Sequence, residues 1–99
     1  MDAENRVIVR DPFAKRLMVR YLGHREEDLK LLRSALDLAD FETIRMKGHN
    51  MYGSGSAYGL DRISHLGADL ETAAMKQNSA AIIDLIASLE AFIRNVRVV

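Results

Sequence analysis

Between Phe41 and Tyr58 the residues Phe41, Ile44, Gly48, Met51, Gly55 and Tyr58 recur at intervals of three, four, three, four and three. That spacing is the seam of a helix packed in a bundle, and a strand, whose faces repeat every second residue, does not produce it. Two seam positions are glycine. They belong to a denser stretch, GHNMYGSGSAYG from Gly48 to Gly59, with four glycines, two serines and a histidine. A glycine inside a helix costs about 1 kcal/mol relative to alanine. Gly48 and Gly55 lie on the seam, where a missing side chain permits close helix packing. Gly53 lies off the seam, so packing alone does not account for the cluster.

Helical patterns flank this stretch on both sides. Asp11 and Pro12 form a helix start, as N-cap and first helical residue. Met18, Leu22, Leu29, Leu32, Leu36 and Ala39 follow on one face, with Gly23 as an expected kink or break between a short helix and a longer one. Asp40 is the expected N-cap of the next helix and Gly59 its C-terminal stop. Asp61 opens a helix with Ile63, Leu66, Leu70 and Ala73 inward. Asn78 or Ser79 caps the last, whose expected seam is Ile82, Leu85, Leu89, Phe92 and Val96, widened by Ile83, Ile86 and Ile93. Short loops make neighbouring helices antiparallel. The expected fold is all-α: an up-and-down antiparallel four-helix bundle with an additional short N-terminal helix or extension. The β-branched ends, RVIVR at residues 6–10 and Val96 to Val99, read as extended segments able to pair as a small ladder, with a loose arm as the other option. The 99 residues form a single domain, with residues 1–10 as an extended arm and residues 11–97 as the bundle.

Composition removes several function classes. Fourteen basic residues balance fourteen acidic ones, which argues against a nucleic-acid partner. No apolar run approaches the roughly 18 residues of a membrane span, and the N-terminus lacks a signal-peptide core, so no membrane role and a cytoplasmic location are expected. There is no cysteine, hence no disulfide, zinc thiolate or thiol nucleophile. Gly48 to Gly53 has the spacing of a phosphate-binding loop, but Ser54 stands where the lysine belongs and no strand precedes it. Gly53, Gly55 and Gly59 miss the dinucleotide spacing by one residue. No H-E-x-x-H motif occurs, and no glutamate lies three residues before a histidine as in a di-iron bundle. The serines fall in helix or cap contexts, which leaves a serine triad unsupported. Met46 and Met51 read as packing residues.

His49 remains. At about 100° per residue it lies roughly 140° from the centre of its seam and faces solvent. Arg45, Tyr52 and Ser56 share its side, Gly53 is one turn away and Gly48 adjacent. A neutral imidazole carries a lone pair on one ring nitrogen and can act as a nucleophile. That suits phosphoryl acceptance or other covalent catalysis. His24 and His65 also point away from their seams but have no glycine-rich surround, and they read as plain solvated side chains.

The stretch His49-Asn50-Met51-Tyr52-Gly53-Ser54-Gly55-Ser56-Ala57-Tyr58-Gly59 resembles the motif of histidine-containing phosphotransfer (HPt) domains of two-component phosphorelays, approximately H-x-x-K-G-S, a small-residue run, then an aromatic and a glycine. Tyr21-Leu22, Arg25, Asp28-Leu29, Leu32 and Ala35-Leu36 resemble the family's preceding helix. Ile63, Leu66-Gly67, Leu70-Glu71 and Ala73-Ala74 resemble the following one, and the valine-rich ends look like those of some bacterial single-domain members. The resemblance implies a phosphoryl carrier rather than an enzyme. His49 would be the phospho-acceptor, loaded by a receiver aspartate or a histidine kinase and unloaded onto a response-regulator receiver domain. Arg45, Gly48, Tyr52, Gly53 and Ser56 would support it or line the docking surface. No intrinsic cofactor or metal is implied, the magnesium ion belonging to the partner receiver. Tyr52 departs from the pattern, since the family usually has lysine there. The departure predicts a less stabilised phospho-His49 or transfer tuned to one receiver, with Arg45 compensating in part, and it leaves open an alternative, a non-phosphorylated adaptor that binds and regulates a receiver or kinase.

Overall fold

A computed structural model describes residues 6–99. In chain order it contains β1 (Arg6–Val7), α1 (Pro12–Asp37), α2 (Phe41–Gly55), a 3₁₀ turn (Ser56–Tyr58), α3 (Asp61–Met75), α4 (Ser79–Asn95) and β2 (Arg97–Val98). The fold is an all-α four-helix bundle. Asp11 caps α1 by accepting the Phe13 N–H at 2.9 Å, with Pro12 at the first helical position. The break expected at Gly23 does not occur, and α1 runs unbroken for 26 residues. Gly23 is exposed, with open space where a Cβ would sit. The roughly 1 kcal/mol that glycine costs there is outweighed by Met18, Tyr21, Leu29 and Leu32, which bury the same helix on either side. At 1.5 Å per residue α1 is about 39 Å long, close to the 41 Å long axis of the whole molecule. Its first turns therefore overhang the shorter α2 to α4.

The centre of the core is Leu32 from α1, Ile44 and Met51 from α2, Ile63 and Leu70 from α3, and Ile82 and Leu89 from α4, all fully buried. In each of α2, α3 and α4 the pair is seven residues apart, two turns of helix, so the three helices contribute to the same two layers. Burying each such side chain contributes about 1.5–3 kcal/mol. The α4 seam is Ile82, Ile86, Leu89 and Ile93. Leu85 and Phe92, expected at its centre, are half-buried at its edges, and Ile83 is exposed. With apolar residues on nearly every side of α4, periodicity does not locate the inward direction. The contacts with α1 and α3 do, helped by Arg33 of α1, whose Nη2 donates to Glu90 of α4 at 2.6 Å. Similarly, Tyr21, Asp28 and Ala35 are buried on α1, while Leu22 and Leu36 lie at the margin and Ala39 falls beyond the helix end.

The turns after α1 and α3 are built alike. Ala39 and Gln77 are left-handed, with φ of 54° and 51°. Each donates its N–H to the carbonyl three positions back, Leu36 or Ala74, and the next residue donates to Ala35 or Ala73. That is a Schellman ending, a position that favours glycine. Asp40 and Asn78, the residues that close these turns, at once cap the next helix through Thr43 and Ala81. One residue thus ends one helix and starts another, which keeps the loops short and the helices antiparallel. Ala39→Gly and Gln77→Gly are each expected to raise unfolding stability by about 0.5–1 kcal/mol, because the left-handed strain of a Cβ disappears. Denaturant titration checks this, and unchanged midpoints would refute it.

The two ends pair. β1 and β2 form a parallel ladder, with Arg6 opposite Arg97 and Val7 opposite Val98, extended by Val99 N–H to Val7 O and Val9 N–H to Val99 O, both 2.8 Å. Val7, Val9, Val96 and Val98 pack on the core while the arginines face outward. The arm expected over residues 1–10 is thus tied down from Arg6 onward, and its first five positions lie outside the described residues.

Candidate functional site

The site begins where α2 and α3 cross. A Cβ on Gly48 would lie 2.6 Å from the Gly67 carbonyl oxygen and 2.7 Å from the Glu71 nitrogen. A Cβ on Gly67 would lie 2.6 Å from both the Gly48 oxygen and the Tyr52 nitrogen. The two backbones are in mutual contact, closer than any side chain allows. Gly55 serves the same purpose farther along, where a Cβ would meet Ser64 N at 2.6 Å and Ser64 Oγ at 2.7 Å. Gly48 is therefore buried beneath the site and is not part of its outer rim. This is the close-packing role that its place on the seam predicts. At Gly53 nothing lies within 4 Å of the place a Cβ would occupy, so that residue does leave open space one turn beyond His49.

Close crossing brings Glu71, one turn past Gly67, up to the imidazole. The His49 side chain is 64% exposed, yet its Nδ1 lies 3.3 Å from Glu71 Oε1 and 3.2 Å from Oε2. An ionised carboxylate only accepts hydrogen bonds, so this contact puts the proton of the neutral ring on Nδ1 and the lone pair on Nε2. The Nε2 edge is then the nucleophilic one. Sequence reasoning found the exposed histidine but did not name this partner. The available signal was the pairing of Gly48 with Gly67, which places residue 71 across from residues 45 and 49.

Arg45 lies one turn before His49. Its Nε donates to Glu42 Oε1 at 2.9 Å and its Nη2 to Glu42 Oε2 at 2.6 Å, while Nη1 stands 3.8 Å from Glu71 Oε2. The hydrogen bonds from Arg45 hold the Glu42 carboxyl below its ordinary value, and Glu42 in return raises the guanidinium. Tyr52 is exposed on the same side. Ser56 is not a free hydroxyl. Its N–H donates to Ser64 Oγ at 2.7 Å and its Oγ donates to the same atom at 3.0 Å, while Ser64 Oγ donates to the Tyr52 carbonyl at 2.9 Å. Ser64 thus stands in the place of the direct helical bond from Ser56 N–H to Tyr52, and α2 tightens there into the 3₁₀ turn ended by left-handed Gly59, φ 74°.

The opposite flank of α2 is held against α1. Tyr21 and Ser54 share a hydroxyl hydrogen bond of 2.6 Å, and the Tyr21 and Tyr58 rings stack with centroids 4.2 Å apart. Arg25 covers the other face of Tyr21 at 4.4 Å. Arg25 Nε also approaches buried Asp28 at 2.9 Å, but the N–H is not aimed along that line, so the contact is Coulombic rather than a hydrogen bond. Lys47 completes the group, 3.4 Å from Asp28. His24 and His65 are exposed and stand apart from this arrangement.

An exposed imidazole with one nitrogen anchored and the other free, on a helix whose neighbouring position is cleared by glycine, fits a group carrier. The sequence model of the Hpt domain family matches residues 16–98. The chain belongs to the Hpt domain family. Searches of curated proteins and of solved structures gave no significant match. Hpt domains are phosphoryl carriers of two-component signalling, not self-sufficient enzymes, and they work with receiver domains and kinases. The four-helix bundle agrees with that membership. Among the described residues no group of three His, Cys, Asp or Glu side chains is placed to hold a metal ion, and no helix is long and apolar enough to cross a membrane.

Proposed function

We propose that this Hpt domain carries a phosphoryl group on Nε2 of His49, loaded by a receiver aspartyl phosphate or a histidine kinase and passed to a response-regulator receiver. The observation that supports it is the pairing of His49 Nδ1 with the Glu71 carboxylate on an otherwise open helix face. In loading from a receiver, the Nε2 lone pair attacks phosphorus, the P–O bond to the aspartate breaks, and the carboxylate leaves with the bonding electrons. The Nδ1–H stays, so the ring gains positive charge as the N–P bond forms. Glu71 faces that charge at the moment it develops. In-line approach and neutralisation of the transferring oxygens come from the receiver, which on this proposal also supplies the magnesium ion. Gly53, exposed Tyr52 and Met46, which was expected to pack but is exposed while Met51 is buried, form the surface on which the partner closes, with Arg45 beside it. A cytoplasmic location accords with such partners.

Incubation with a phosphorylated receiver or kinase is expected to give an acid-labile phosphoryl adduct on the wild type and none on His49→Gln. A wild type that gains no adduct from any receiver or kinase of its host would overturn the carrier reading. If His49→Ala still bound and regulated its receiver, the domain would act as an adaptor instead.

A further inference from the structure

Taking His49 as the acceptor, exposed Tyr52 on the same side brings no cation to a phosphoryl group there. Helix α2 carries two cations, Arg45 and Lys47. Lys47 points to α1 and pairs with buried Asp28 at 3.4 Å. Arg45 is on the His49 side, one turn away, and shares Glu71 with the imidazole: Glu71 Oε2 is 3.2 Å from His49 Nδ1 and 3.8 Å from Arg45 Nη1. Residues four apart on a helix are neighbours, with Cβ atoms about 5–6 Å apart. In the unphosphorylated protein, however, the guanidinium fork is committed to Glu42 at 2.9 and 2.6 Å. That bond is an exposed i,i+3 pair, with side chains 36% and 66% accessible, and pairs of this kind are readily exchanged.

The geometry points to Arg45 as the phosphoryl-binding cation of phosphorylated His49, held in reserve by Glu42. A phosphoryl group brings a charge of about −2 and three acceptor oxygens, and a guanidinium binds it with short, charge-assisted bonds. The Glu42 carboxylate offers only one charge and remains in solvent after release. Phosphorylation therefore draws the fork from Glu42 to the phosphoryl oxygens, while Glu71 stays on Nδ1. Glu42 acts on the site only through Arg45, as a positioning residue that sets how much of the cation is available. Hydrolysis of a phosphohistidine passes through a loose transition state in which the oxygens lose charge, so a cation that holds the dianion lengthens its lifetime.

The test uses phosphoramidate as a small-molecule donor and follows the phospho-His49 signal by phosphorus NMR, with His49→Gln to identify it. Arg45→Gln is expected to shorten the lifetime about fivefold and Glu42→Gln to lengthen it about twofold, by releasing the cation. Tyr52→Lys in the Arg45→Gln background is expected to restore it. In the wild type the Arg45 side-chain Nε–H resonance shifts on phosphorylation, and added salt shortens the lifetime more than in Arg45→Gln. A fold-level effect of losing Arg45 predicts neither the opposite sign of Glu42→Gln nor rescue by Tyr52→Lys. An adduct on His49 whose lifetime is indifferent to Arg45 and Glu42 overturns this assignment and leaves the carrier function standing. Failure of His49 to form any adduct overturns both.

Discussion

Gly67→Ala is expected to lower the unfolding free energy by about 2 kcal/mol, although alanine is the better helix former. The added Cβ would stand 2.6 Å from two backbone atoms of α2, the Gly48 oxygen and the Tyr52 nitrogen. Neither can rotate away, so the helices must separate along their whole contact, and overpacking of that kind costs about 1–3 kcal/mol or more. The helix-propensity gain of about 1 kcal/mol offsets only part of it. For a domain of this size the melting temperature should fall by roughly 10 °C. Gly53→Ala supplies the opposite sign. Nothing lies within 4 Å of its Cβ position, so alanine should stabilise α2 by about 0.5–1 kcal/mol. Calorimetry on both variants decides the matter, and equal shifts would show that the glycines are not divided between packing and clearance. Because Gly67 sets the distance from Glu71 to His49, its replacement should also slow the phosphoryl loading proposed for His49.

Removing the carboxylate directly is the second large effect. On the proposed carrier function, Glu71→Ala is expected to reduce the rate of phosphoryl acceptance by His49 about tenfold, close to the loss of one charge-assisted hydrogen bond, about 1.5–3 kcal/mol, at a partly exposed site. Without Glu71 the ring is free to turn and to place its proton on either nitrogen. The positive charge of the phosphorylated ring also loses its partner. Glu71→Gln keeps an acceptor for Nδ1–H but not the charge, and should fall between, near threefold. Single-turnover transfer from a phosphorylated receiver measures both, with circular dichroism to confirm that the bundle is intact. An unchanged rate in Glu71→Ala would show that Nδ1 needs no anchor, and the assignment of Nε2 as nucleophile would then lose its support.

The four-helix bundle, its caps and most of the core were legible in the chain, while the additional short N-terminal helix left open there does not occur among the described residues. Asp11, Asp40 and Asn78 cap through their side chains, because capping is a local bond between a side chain and an amide two or three residues on. The α2 seam and the inward residues of α3 followed from spacing, since each of those helices has one apolar stripe. Gly23 misled because a local propensity was set against a core whose extent only the fold reveals. The seam of α4 was displaced because too many of its residues are apolar for periodicity to choose among them. The Schellman turns at Ala39 and Gln77 carried no signal at all, as neither residue is the glycine or asparagine that ordinarily marks such a turn.

The site divides in the same way. That His49 faces outward on a helix, with Arg45 and Tyr52 beside it and Gly53 leaving space, is a statement about one helix and follows from 3.6 residues per turn. Which ring nitrogen is anchored, how Arg45 directs its charge toward α3, and whether Gly48 opens the surface or closes the core are statements about two helices. They depend on the depth and angle at which α2 meets α3, and that depth is set by backbone contact between Gly48 and Gly67. Periodicity along one chain segment gives the direction of a side chain but not what lies across from it. Glu71 became the partner of His49 only when the two glycines let the helices touch.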